Sequence, residues 1–199
     1  MKKILAAVLL LPALASAELL NPNLASEAEL ASVPGVDARL AAAIVEMRPH
    51  LTPSDLDSVL SASLDEDARE AAYGALFRPL NLNTATEAEI WLIPGMSRKM
   101  VHEFEEYRPY RSMDQFRREM SKYVDDAEVE RLASYVFVPV SLNDASEEEI
   151  MAIPGMTARM AHEFDEYRPY RNIEQFRREI GKYVDEDEVA RLESYVTLD

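Results

Sequence analysis

One apolar-Pro-Gly-apolar turn is written three times in this chain, as Val33-Pro34-Gly35-Val36, Ile93-Pro94-Gly95-Met96 and Ile153-Pro154-Gly155-Met156. The interval is about 60 residues each time. Asn23, Asn83 and Asn143 keep that interval, and so do the dipeptides Arg48-Pro49, Arg108-Pro109 and Arg168-Pro169. A repeat of this length is one supersecondary unit that must bury an apolar face against itself and its neighbours. The second and third copies align without a gap and agree at roughly 37 of about 60 positions. The first copy diverges, as a terminal unit often does. The units are read as 18–78, 79–138 and 139–199. Their junctions, "LFRPLNLN" and "VFVPVSLN", hold Pro and apolar residues, so they read as short and stiff.

Inside each unit the punctuation is helical. Ser26-Glu27-Ala28-Glu29, Thr86-Glu87-Ala88-Glu89 and Ser146-Glu147-Glu148-Glu149 match a capping box and open a short helix. Pro-Gly ends it, because Pro cannot continue a helix and Gly accepts a left-handed turn. A second helix follows, with apolar residues at i, i+4 and i+7: Leu40, Ile44, Met47; Met100, Phe104, Tyr107; Met160, Phe164, Tyr167. It stops before the next Pro. A third helix carries Met113, Phe116, Met120 and, one repeat on, Ile173, Phe176, Ile180. A fourth starts at Asp125 or Asp185, with Glu128 or Glu188 three residues later. No long alternating strand pattern is present. The expected fold class is all-α, a tandem and extended array of three small units of about four short helices each.

The first 17 residues, "MKKILAAVLLLPALASA", have a basic start, an apolar middle and a small-residue end. That is the pattern of a secretory signal peptide, with cleavage after Ala17. It is too short to span a membrane, which takes about 20 apolar residues. The expected location is periplasmic or secreted, with no transmembrane segment after cleavage. No Cys is present, so neither a disulfide nor a lipid on Cys is available. Basic residues number 21 and acidic residues 37, for a net charge of −16. Such a field repels polyanions at long range.

The runs Leu82-Asn83-Thr84-Ala85-Thr86 with Ile93-Pro94-Gly95-Met96, and Leu142-Asn143-Asp144-Ala145-Ser146 with Ile153-Pro154-Gly155-Met156, resemble the helix-hairpin-helix domain of ComEA-type proteins. The resemblance extends over all three units. It implies sequence-independent contact with double-stranded DNA, of the DNA-uptake type, in which free amides at a helix N-terminus meet a phosphate. Carried over, that site comprises Gly95, Met96, Ser97, Arg98 and Lys99 in the second unit, and Gly155, Met156, Thr157 and Arg159 in the third. This chain departs from the family at one place. The family's second hairpin Gly is Asp37, Ser97 or Thr157 here. Each is a good N-cap, and a capping side chain occupies an amide otherwise offered to phosphate. Asp37 also adds a negative charge.

Charge divides the units further. Residues 19–78 hold 10 acidic and 4 basic side chains, 79–138 hold 11 and 8, and 139–199 hold 15 and 7. Arg98, Lys99, Arg108, Arg111, Arg117, Arg118, Lys122 and Arg131 form either a ribbon of phosphate contacts or a solvated face laced by ion pairs. His102 with Glu106 and His162 with Glu166 read as plain helix pairs, so no metal site is expected. The repeated Tyr residues could serve as exposed binding anchors, but most read more simply as the edge of the core, with a buried ring and a wet hydroxyl. No nucleophile, base and orienting group come together in the pattern, so no enzyme, cofactor or small-molecule substrate is expected. Two readings stay open: a weak double-stranded DNA binder acting mainly through the second unit, and an acidic envelope scaffold that has lost DNA and docks on another protein.

Overall fold

The computed structural model describes residues 19–198. The expected signal segment, 1–17, lies outside the described residues. Twelve α-helices occur among the described residues, in three sets of four. The first set is α1 (Glu27–Leu30), α2 (Ala38–Glu46), α3 (Pro53–Ser61) and α4 (Glu66–Tyr73). The second is α5 (Glu87–Ile90), α6 (Arg98–Glu106), α7 (Met113–Met120) and α8 (Asp126–Ala133). The third is α9 (Glu147–Met151), α10 (Ala158–Glu166), α11 (Ile173–Ile180) and α12 (Glu186–Glu193). The mostly helical content agrees with the expected class. None of these helices is long and apolar enough to cross a membrane.

Caps fix the helix starts. Ser26, Thr86 and Ser146 each close a full capping box with the Glu three residues on. Thr52 does the same with Asp55 at α3. Asp65, Asp125 and Asp185 cap the fourth helix of each set.

Four short strands depart from the purely helical expectation: β1 (Leu80–Asn81), β2 (Val136–Phe137), β3 (Val140–Ser141) and β4 (Val196–Thr197). At two residues each they are too short to leave an alternating pattern. β1 pairs in parallel with β2, Leu80 against Val136, and β3 with β4, Val140 against Val196. In the first unit Leu20 bridges Leu76 in the same sense. Each unit's first segment therefore lies beside its last, and the chain arrives and departs at one corner. Closure is by main-chain bonds such as Leu80 N–H to Tyr135 O at 2.9 Å and Val140 N–H to Tyr195 O at 2.9 Å.

The buried apolar side chains form two clusters. One runs without a break from Ala25 to Val136, through the first two units. The other, from Leu142 to Tyr195, belongs to the third. Phe77 meets Tyr135 edge-on at 5.0 Å, and one repeat later Phe137 meets Tyr195 at 4.7 Å. The same stacking pair thus joins first unit to second and second to third. The first unit also touches the third: a Cβ placed on Gly155 would lie 2.8 Å from Leu24 Cδ2. The expectation of an extended row is corrected by these contacts. Because the chain departs from each unit where it arrived, the junctions gather and bring the first and third units together.

Arg78 lies at that meeting point and is fully buried. Its Nε donates to His50 O at 3.0 Å, Nη1 to Tyr195 Oη at 2.7 Å, and Nη2 to Ser194 Oγ at 2.7 Å. Its guanidinium lies 4.2 Å from the centre of the Tyr195 ring. Burial pulls its pKa below the usual arginine value. A buried charge demands such partners, since an unpaired one is costly.

Candidate nucleic-acid and protein interaction surfaces

The three Pro-Gly turns are alike in backbone. Gly35, Gly95 and Gly155 have φ of 80°, 75° and 76°, in the left-handed region that a side chain resists. The N-cap of the next helix lies two residues on, at Asp37, Ser97 or Thr157. Asp37 accepts from Leu40 N–H at 2.8 Å, Ser97 from Met100 N–H at 3.3 Å, and Thr157 from Met160 N–H at 3.2 Å. Within the turn, the Met96 amide donates to Ile93 O at 3.3 Å and the Met156 amide to Ile153 O at 3.0 Å. Met96 and Met156, two of the residues carried over from the family, therefore spend their amides inside the turn.

Gly95, Ser97, Arg98 and Lys99 stand together on the exposed shoulder of α6. Lys99 Nζ lies over the Tyr123 ring at 4.8 Å. Among the described residues, Arg98 and Lys99 make no ion pair. In the third unit Gly155 has Leu24 of the first unit against it, and Arg191 donates to Pro154 O at 2.6 Å. Arg159 lies 5.9 Å from the centre of the Tyr183 ring. The third hairpin is thus contacted by Leu24 and Arg191, although Gly155, Thr157 and Arg159 are exposed as their counterparts in the second are.

Most of the basic residues are committed elsewhere. Arg117 forks onto Glu130, with Nε to Oε1 at 2.8 Å and Nη2 to Oε2 at 3.2 Å. Arg118 and Lys122 both hold Glu119. Arg131 pairs with Glu128 at 2.7 Å. The third unit repeats this with Arg177 on Glu193, Arg178 and Lys182 on Glu179, and Arg191 on Glu188. These partners hold Glu119, Glu130 and Glu179 below the ordinary carboxylate pKa, chiefly through the side-chain hydrogen bonds.

Arg108 and its counterparts serve an internal clasp. Arg108 Nε donates to Leu82 O at 2.6 Å and Nη2 to Ala85 O at 2.7 Å. Arg168 makes the same two bonds to Leu142 O and Ala145 O. Arg48 does so to Pro22 O and Ala25 O. Opposite them, Asn83 Nδ2 donates to Tyr110 O at 2.9 Å, and Oδ1 accepts from Tyr110 N–H at 2.7 Å. Asn23 clasps His50, and Asn143 clasps Tyr170, in the same way. The repeated Asn and Arg-Pro therefore tie each unit's opening loop to the segment before its third helix. Their fixed spacing was visible in the sequence; their partners are main-chain atoms, which carry no sequence signal.

The His102–Glu106 and His162–Glu166 pairs form at 2.9 Å and 3.6 Å on exposed helix faces. No group of three or more His, Asp or Glu gathers as a metal site among the described residues. The hydroxyls of Tyr135 and Tyr195 are buried, which corrects the expectation of a wet hydroxyl. Tyr135 donates to Tyr73 O at 3.1 Å, and Tyr195 meets Arg78, so both join units together.

An open groove of about 840 Å³ runs between α11 and α12. Gly181, Val184, Val189 and Ala190 line it, with Glu174, Glu186 and Arg177 at its rim. The matching position to Ala190 in the second unit is Glu130, which reaches Arg117 there. In the third unit Arg177 turns to Glu193 instead, which leaves the floor apolar. Comparison with family models, with curated proteins and with solved structures finds no match.

Proposed function

We propose that this chain is an exported, non-catalytic binding module made of three helix-hairpin-helix units of the ComEA type, and that its partner is another envelope protein. The observation that carries the reading is the commitment of the basic side chains. A surface that binds duplex DNA keeps its Lys and Arg available to replace counterions. Here Arg108, Arg117, Arg118, Lys122 and Arg131 already have internal partners. Breaking those pairs for phosphate would expose carboxylates to the same phosphate. The net charge of −16 acts in the same direction. The apolar groove of the third unit offers what a protein partner needs, a concave surface with a mixed-charge rim.

Fluorescence anisotropy with a labelled duplex tests this reading. No binding is expected at physiological salt, and saturation there would overturn it. A photo-crosslinker at Ala190 should trap one envelope protein, and the same crosslinker at Ser58 of the first unit should not. Mass spectrometry of the protein taken from the envelope fraction should find Glu18 at the N-terminus.

A second reading rests on the second hairpin, where Arg98 and Lys99 stay unpaired beside the Gly95 turn. Here a weak contact with double-stranded DNA is confined to Gly95, Ser97, Arg98 and Lys99. It predicts binding at low salt that Arg98→Glu with Lys99→Glu abolishes and Ser97→Gly strengthens.

A further inference from the structure

We propose that His50 and Arg78 form an acid-sensitive latch that holds the third unit against the first. His50 stands where the other units have Tyr110 and Tyr170. Like them it is buried, at 1% exposure. Its Nε2 lies 2.9 Å from Ile44 O, so the ring carries its proton there and donates it. Nδ1 is then a bare acceptor, buried and without a partner. A proton on Nδ1 would be a buried donor with nothing to receive it, and the ring would carry a charge away from water.

The charged groups facing His50 act in both directions. Arg48 comes from the same segment, and Arg78 from the junction between the first two units; Asp55 comes from α3. Asp55 favours the charged ring, while Arg48 and Arg78 disfavour it. Burial, the largest influence, already pulls the His50 pKa below its usual value.

The consequence passes to the third unit through the main chain. His50 O receives Arg78 Nε at 3.0 Å, and Arg78 in turn holds Tyr195 and Ser194. Asn21 adds a bond to Tyr195 Oη at 3.4 Å. A charged imidazole is disfavoured in this site, and its departure disturbs the main chain whose carbonyl aims Arg78 and is also held by Asn23. Closure requires neutral His50, so the closed form is fully favoured above about pH 6.5, the ordinary histidine value. It loses ground as pH falls below that, because only the open form takes up the proton readily.

Single cysteines at Ser32 and Glu148, both exposed, allow energy transfer between the first and third units of the full chain. Transfer should be constant from pH 8 to 7 and fall at lower pH, with circular dichroism unchanged. His50→Tyr, which installs the residue of the other two units, should keep transfer high down to pH 5. His50→Gln serves as a second neutral replacement if the Tyr variant misfolds. Arg78→Met should show low transfer at every pH. Constant transfer in the parent protein, or the same fall in both His50 variants, would overturn the latch.

Discussion

Arginine has two distinct uses in this molecule, and neighbouring sequence does not separate them. Arg98 and Arg108 are both basic residues of the second unit. Arg98 stands in solvent, while Arg108 holds the carbonyls of Leu82 and Ala85. Replacing Arg108 by Met should cost about 2 kcal/mol, since partly buried carbonyls lose charged donors. Asn83→Ala should cost a similar amount, because both main-chain atoms of Tyr110 lose their partners. Arg98→Ala should stay within about 0.5 kcal/mol of the parent, as an exposed site does. Urea unfolding followed by circular dichroism checks all three. A large loss from Arg98→Ala would mean that the basic residues are sorted wrongly.

The Pro-Gly turn works as an element through its backbone alone. Around Gly95 there is room for a methyl group, since the nearest atom to a Cβ there would be Arg131 Nη2 at 3.8 Å. Gly95→Ala should therefore cost only the left-handed strain, roughly 1–2 kcal/mol. Gly155→Ala meets the same strain and also displaces Leu24, so it should cost more. Truncating Leu24 to Ala should recover part of that difference. A double-mutant cycle between the two sites measures the coupling, and a coupling of zero would deny the contact between the first and third units. The caps behave differently. Ser97→Ala should lose about 1 kcal/mol, whereas Ser97→Gly should lose only a few tenths.

At the scale of the whole molecule, one aromatic stacking pair joins the units in succession. Phe77 with Tyr135, and Phe137 with Tyr195, make the two joints. Continuing that register, the third unit offers Thr197 where Phe is needed, and the first offers Ala75 where Tyr is needed. The aromatic joint is therefore made twice among the described residues, between the first and second units and between the second and third. The third unit has its own core, and Arg78 adds its side-chain bonds to the Phe137–Tyr195 stack and the Leu24 contact that link that unit to the first two. Arg78→Met should split unfolding into two steps. The only Trp, Trp91, stands partly exposed at the end of α5 and reports on the second unit, while circular dichroism reports on all three units. The two probes should coincide in the parent protein and separate in the variant, because coincidence marks a single cooperative transition.

The start of the second helix in each unit was legible because it depends on neighbours in sequence: Ser97 caps an amide three residues away, and Gly95 needs only its own backbone. The helical class, the number of helices per unit and the hairpin residues follow from local rules of this kind. The strands escaped because two residues carry no period. The role of Arg78 escaped for another reason. Its partners, His50, Ser194 and Tyr195, are distant in sequence and become neighbours only when each unit closes on itself. The same closure decided which basic residues are free and which are bound. Capping, turns and periodicity are local in sequence; the burial of a charge and the meeting of the first and third units are long-range packing, which only the folded chain can decide.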